Sequence, residues 1–96
     1  MRLGLDEDPS LPQLWKNLGD LLYRTARTDE AEQAYARALK LAPRLGDDVY
    51  FKLGNLAFKA LRRDEALAYW REAVALNPDH LMAQANIATI ERLGRS

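Results

Sequence analysis

Leu14-Trp15-Lys16-Asn17-Leu18-Gly19 and Val49-Tyr50-Phe51-Lys52-Leu53-Gly54 are two versions of one phrase, an aromatic residue three places ahead of a Leu-Gly pair, set 35 residues apart. The same offset persists downstream. Asp29-Glu30-Ala31 lies over Asp64-Glu65-Ala66, Tyr35 over Trp70, Ala38 over Ala73, Leu41 over Leu76 and Pro43 over Pro78. A period of this size marks a chain built from stacked supersecondary units rather than one continuous core.

Each unit reads as two helices. Apolar residues recur at helical spacing in Leu11, Leu14, Trp15, Leu18, Leu21 and Leu22, and again in Ala31, Ala34, Tyr35, Ala38, Leu39 and Leu41. Polar, glycine and proline clusters at 25–29, 43–48, 61–64 and 77–79 punctuate them. The pattern predicts five helices, over about 11–24, 29–41, 47–61, 64–76 and 79–93, with ends good to a few residues. Pro43 and Pro78 stop the second helix of each pair, since proline cannot donate the helical bond. Ser10 with Gln13, and Asp29 with Glu32, have capping-box spacing. Arg62-Arg63 is read as closing a helix, and Asp47-Asp48 and Asp64-Glu65 as opening helices, in keeping with the helix dipole. Gly19 and Gly54 fall mid-helix, where glycine costs about 1 kcal/mol relative to alanine. A close helix–helix approach accounts for that, with Ala31, Ala38, Ala66 and Ala73 as the matching small face and Tyr35 and Trp70 as knobs beside it.

Composition narrows the chemistry. The 96 residues carry 14 basic and 14 acidic side chains, so there is no net field to draw in nucleic acid or an anionic membrane. Cysteine is absent, which removes disulfides, thiolate zinc sites and thiol catalysis. One histidine, His80, and two serines, Ser10 and Ser96, leave no triad to assemble. His80 beside Pro78-Asp79 reads as a loop residue, because further ligands at metal-binding spacing are lacking. Neither an enzyme nor a cofactor or metal site is expected. Charges interrupt every apolar run before it could span a bilayer, and the acidic start Asp6-Glu7-Asp8 does not suit a signal peptide, so a cytoplasmic setting is the default.

The repeated residues resemble the tetratricopeptide repeat (TPR), a helix-turn-helix unit of about 34 residues with the pattern W-x2-L-G-x2-Y…A-x3-F…P. Trp15, Leu18, Gly19, Ala31, Tyr35, Ala38 and Pro43 match it, as do Tyr50, Leu53, Gly54, Ala66, Trp70, Ala73 and Pro78. Leu22 and Ala57 replace the tyrosine, with an aromatic one place on at Tyr23 and Phe58, and the extra residue of the longer period is assigned to Gly46. The resemblance implies an all-α fold of antiparallel helix pairs stacked as a right-handed superhelix. It divides the chain into an acidic arm or remnant of an earlier repeat at 1–11, repeats at 12–45 and 46–78, and a capping helix with tail at 79–96. In the cap, Ala83, Ile87 and Ile90 are expected to pack backwards while Gln84, Ala88 and Glu91 face outward, as befits a terminal unit.

By the same resemblance the first helices line a concave groove for a peptide or partner segment. Its candidate residues are Lys16, Asn17, Asp20 and Tyr23, then Phe51, Lys52, Asn55 and Phe58, then Met82 and Asn86. Tyr23, Phe51 and Phe58 can equally be half-buried packing residues. One family subtype clamps the C-terminal carboxylate of heat-shock chaperones with lysine, asparagine and arginine. Here Lys16 fits, but Asp20 and Lys52 replace the asparagines and Met82 and Asn86 the basic residues, which argues against that ligand. The alternatives are an accessory domain of a larger protein or enzyme, or a structural element. The latter would self-associate, as a homo-oligomer, through an end face around Leu11, Leu14 and Leu3-Gly4-Leu5.

Overall fold

A computed structural model describes residues 11–94, which form five α-helices: α1 (Leu11–Arg24), α2 (Thr28–Leu41), α3 (Asp47–Lys59), α4 (Arg63–Leu76) and α5 (Leu81–Gly94). No strand occurs among the described residues. The acidic arm and the Ser10 capping box lie outside them. The chain divides into two compact units, Met1–Leu45 with α1 and α2, and Gly46–Ser96 with α3, α4 and α5.

In the first unit α2 presents Ala31, Ala34, Tyr35 and Ala38 as a buried stripe, spaced i, i+3, i+4 and i+7. From α1 it meets Leu11, Gly19 and Leu22, also buried. Gly19 is required by the Tyr35 ring. A Cβ there would stand 2.6 Å from Tyr35 Cδ1. In the second unit a Cβ on Gly54 would collide with the Trp70 indole in the same way. The aromatic knobs, expected beside the alanine face, lie directly on the glycines. Ala57, Ala66, Trp70, Ala73, Ala83 and Ile90 form the buried cluster of this unit, with Leu67, Val74 and Ile87 packed against it. As expected of the cap, Ala83 and Ile90 are turned inward while Gln84, Ala88 and Glu91 are exposed.

Both hairpins turn by the same device. After α1, the Arg27 N–H donates to Leu22 O over 2.9 Å and Ala26 N–H to Tyr23 O over 3.2 Å. After α3, Arg62 N–H donates to Ala57 O over 2.9 Å and Leu61 N–H to Phe58 O over 3.0 Å. This double bond pattern is a Schellman motif, whose penultimate residue is left-handed. Ala26 (φ 62°) and Leu61 (φ 64°) fill that place, although neither is glycine.

The turn corrects two expectations. It delivers the chain into α2 at Thr28 and α4 at Arg63, with Arg27 and Arg62 at the N-cap and no side-chain cap bond. Asp29 therefore sits inside the first turn and forms no capping box. Helix α3 ends at Lys59, and Arg62-Arg63 opens α4 instead of closing α3. Arg62 and Arg27 instead reach i+3 carboxylates, Glu65 at 3.5 Å and Glu30 at 3.6 Å.

Candidate functional site

Lys16, Asp20 and Tyr23 are spaced i, i+4 and i+7 on α1, so helical geometry alone puts them in one row with Asn17 at its edge. Asn17 is exposed and accepts a 3.0 Å bond from Gln13 Nε2. Asp20 faces the hairpin. The Tyr35 hydroxyl donates to its Oδ1 over 2.5 Å, in the range for a phenol bonded to a carboxylate. Tyr23 is half-buried edge-on against Tyr35, with ring centroids 6.5 Å apart at 61°.

The second unit repeats this arrangement with different chemistry. Phe51, Asn55 and Phe58 form the row on α3, with Lys52 beside Phe51 and half-buried. Trp70 Nε1–H is shared between Phe51 O and Asn55 Oδ1, each at 3.2 Å. Asn55 thus stands to Trp70 as Asp20 stands to Tyr35. Phe58 is exposed but lies 5.9 Å from the Trp70 ring, and Phe51 packs on the His80 imidazole at 4.7 Å. On α5, Met82 is exposed and Asn86 half-buried, one turn apart.

Tyr23 and Phe51 are half-buried, whereas Phe58 is 42 % exposed. Each ring of the row is backed by another ring of its own unit, which fixes its orientation, and Phe58 still presents surface to solvent.

His80 has a structural role that the sequence reading missed. Its Nδ1 accepts the Ala83 N–H at 3.2 Å and so caps α5, while Nε2 lies 3.8 Å from Asp47 Oδ2. Asn77 Nδ2 donates to the same Asp47 oxygen over 3.1 Å, and Asn77 Oδ1 accepts the Asp79 N–H at 3.1 Å. Asparagine closes an Asx turn here, which pushes the start of α5 to Leu81, two residues beyond the expected position. The signal available was the polar run Asn77-Pro78-Asp79-His80. Among the described residues no group of three or more His, Cys, Asp or Glu is placed to hold a metal ion.

A shallow cleft of about 380 Å³ lies on the first unit, with Trp15, Leu18, Leu22 and Ala34 in its walls and Glu30 and Arg37 among its polar lining. Of the residues named for an end face, Leu11 is buried, Leu14 is exposed together with Leu18 and Leu21, and Leu3-Gly4-Leu5 lie outside the described residues.

The tetratricopeptide-repeat model matches residues 12–45 and 47–80, more than half of the chain. The chain belongs to the tetratricopeptide repeat family. The two TPR matches leave Gly46 between them, where the extra residue of the period was assigned. Helix α5 follows as a fifth helix after the two repeats. No curated protein matches the chain. TPR repeats generally mediate protein–protein interaction and are typically non-catalytic. None of the helices among the described residues is long and apolar enough to cross a membrane.

Proposed function

We propose that this TPR chain is a non-catalytic binding module that holds a peptide or partner segment against the rows on its first helices. In the family's superhelix those helices line one concave face. Carried over, that arrangement would offer Lys16, Asn17, Asp20 and Tyr23, then Phe51, Lys52, Asn55 and Phe58, then Met82 and Asn86 to a ligand. The observation that carries the reading is the backing of each ring by another: Tyr23 on Tyr35, Phe51 on His80, Phe58 on Trp70. Side chains already held in place lose less freedom on binding, so more of the contact energy appears as affinity.

The chemistry of the row favours internal segments over free C-termini. Asp20 stands where the carboxylate clamp of the family subtype has an asparagine, and it opposes a terminal carboxylate. Lys16, Asp20 and Lys52 give the row both charge signs, which suits a segment carrying both charges, with an apolar side chain at Phe58.

The test is selection from a displayed peptide library on the immobilised chain, followed by amide chemical-shift mapping of the best binder. Shifts should concentrate on Lys16, Asn17, Lys52, Phe58 and Asn86. Amidating the peptide's C-terminus should leave the affinity unchanged. A map confined to Gln33, Arg37 and Arg71 of the second helices overturns the proposal.

A further inference from the structure

Helix α1 carries Leu14, Leu18 and Leu21 at i, i+4 and i+7, and they are 51 %, 41 % and 50 % exposed. The second unit contains a covered version of this face. Sixty-nine residues on, at the same place in the repeat, Ala83, Ile87 and Ile90 of α5 belong to or pack against the cluster built with α4, and Ala83 and Ile90 are 0 % and 5 % exposed. A row of three half-exposed leucines is thus a face of a kind that this fold elsewhere keeps under another helix. The cleft beside the row continues it through Trp15, Leu22 and Ala34. Trp15 Nε1 is shut off from water and has no acceptor among the described residues, so the region is also incompletely satisfied.

We propose that a second copy of this chain covers this face, in an isologous dimer that packs α1 against its symmetry mate. The charges at the cleft decide the occupant. Glu30 and Arg37 both line it, seven residues apart on α2 and so about 10 Å apart along the helix axis, with Ala34 between them. A two-fold axis near Leu18 and Ala34 lays the leucine rows together. It also sets Glu30 of each copy over Arg37 of the other, because an isologous contact pairs every residue i with j and j with i. The face is therefore complementary to itself in apolar character and in charge. An acidic segment such as Asp6-Glu7-Asp8 of this chain would meet Arg37 favourably but Glu30 unfavourably. Glu30's existing 3.6 Å contact with Arg27 is between largely exposed groups, which water already screens, so it yields readily to a new partner. Asn17 borders both this surface and the first-helix row of the proposed function, but Lys16, Asp20 and Tyr23 lie on another face of α1, so either proposal can fail without the other.

The test is sedimentation equilibrium of the full 96-residue chain from about 1 µM to about 1 mM, a range that brackets ordinary reversible dimers. A monomer–dimer equilibrium is expected. Leu18→Glu should weaken it at least about tenfold by placing a charge at the centre of the apolar contact, and Leu14→Lys should do the same should Leu18→Glu reduce the helical circular dichroism. Glu30→Arg and Arg37→Glu should each weaken the dimer, and the double swap should restore it to within about threefold, since the pair across the axis is re-formed. A chain that stays monomeric throughout overturns the proposal. So does a dimer indifferent to both leucine variants, or a monomer in which nuclear Overhauser contacts link the Leu18 methyl groups to residues 1–10.

Discussion

The Tyr35 hydroxyl donates to Asp20 Oδ1 over 2.5 Å, so a residue assigned to the ligand face also ties the second helix of its hairpin to the first. Trp70 and Asn55 repeat the relationship at 3.2 Å with an amide acceptor in place of a carboxylate. The proposed ligand face and the hairpin closure share these two positions, and substitutions there must be read for both.

Removing the carboxylate by Asp20→Ala leaves a buried phenol without its acceptor and should destabilise the chain by about 1–2 kcal/mol. Asp20→Asn keeps an acceptor and should lose much less. In a double-mutant cycle with Tyr35→Phe, followed by urea unfolding, the two losses should be strongly non-additive. Additive losses would show that the hydrogen bond contributes nothing.

Gly54→Ala sets two effects against each other. The alanine gains about 1 kcal/mol of helix propensity. The new Cβ, however, occupies space held by the Trp70 indole, and such overpacking costs about 1–3 kcal/mol. A net loss of stability is expected for Gly54→Ala, and likewise for Gly19→Ala against Tyr35, read as a lowered Tm. An unchanged or raised Tm would mean that the rings move aside.

The turns offer a gain. Ala26 and Leu61 hold φ of 62° and 64°, where a Cβ costs roughly 1–2 kcal/mol. Glycine removes that cost but adds freedom to the unfolded chain. The balance should leave Ala26→Gly and Leu61→Gly each more stable by about 0.5–1 kcal/mol. Leu61 is 89 % exposed, so no packing is lost with its side chain. Urea midpoints at constant m-value measure the gain.

Burial, and then the negative charge of Glu72, push the Tyr50 hydroxyl above its ordinary pKa of 10.0. The folded chain therefore holds this proton more tightly than the unfolded chain does. The resulting stability is present in full below the unfolded value, and it is lost as the pH rises through the raised folded value. Between about pH 9 and pH 11.5 the parent should lose more stability than Tyr50→Phe, judged from urea unfolding at each pH. Parallel curves would remove Tyr50 from the alkaline transition.

Much of the architecture was legible in the residues. Helices α1 and α2, the role of Pro43 and Pro78 as stops, and the inward face of α5 follow from periodicity and from proline's missing N–H, which act locally. Gly19 and Gly54 were legible as points of close helix approach, but that Tyr35 and Trp70 lie on them came only from the structure. The turn bonds that set the helix starts at Thr28, Arg63 and Leu81 were not legible, because they are fixed only once the flanking helices are positioned. Ala26 and Leu61 carry no glycine signal for the left-handed turn that they make.

Sequence alone determined the repeat, since a period of 35 and helical spacing are properties of order along the chain. It also placed Asp20, Asn55, Tyr23 and Phe58 on first helices. Tertiary structure alone decided what their side chains do. Asp20 and Asn55 turn to the aromatic knobs because a phenol or indole N–H taken out of water requires an acceptor, and each polar residue lies in reach once its hairpin closes. It likewise separated Leu11, which is buried, from Leu14, Leu18 and Leu21, which are not. Four leucines on one helix are alike to hydropathy, and only the position of neighbouring helices distinguishes a filled face from an open one.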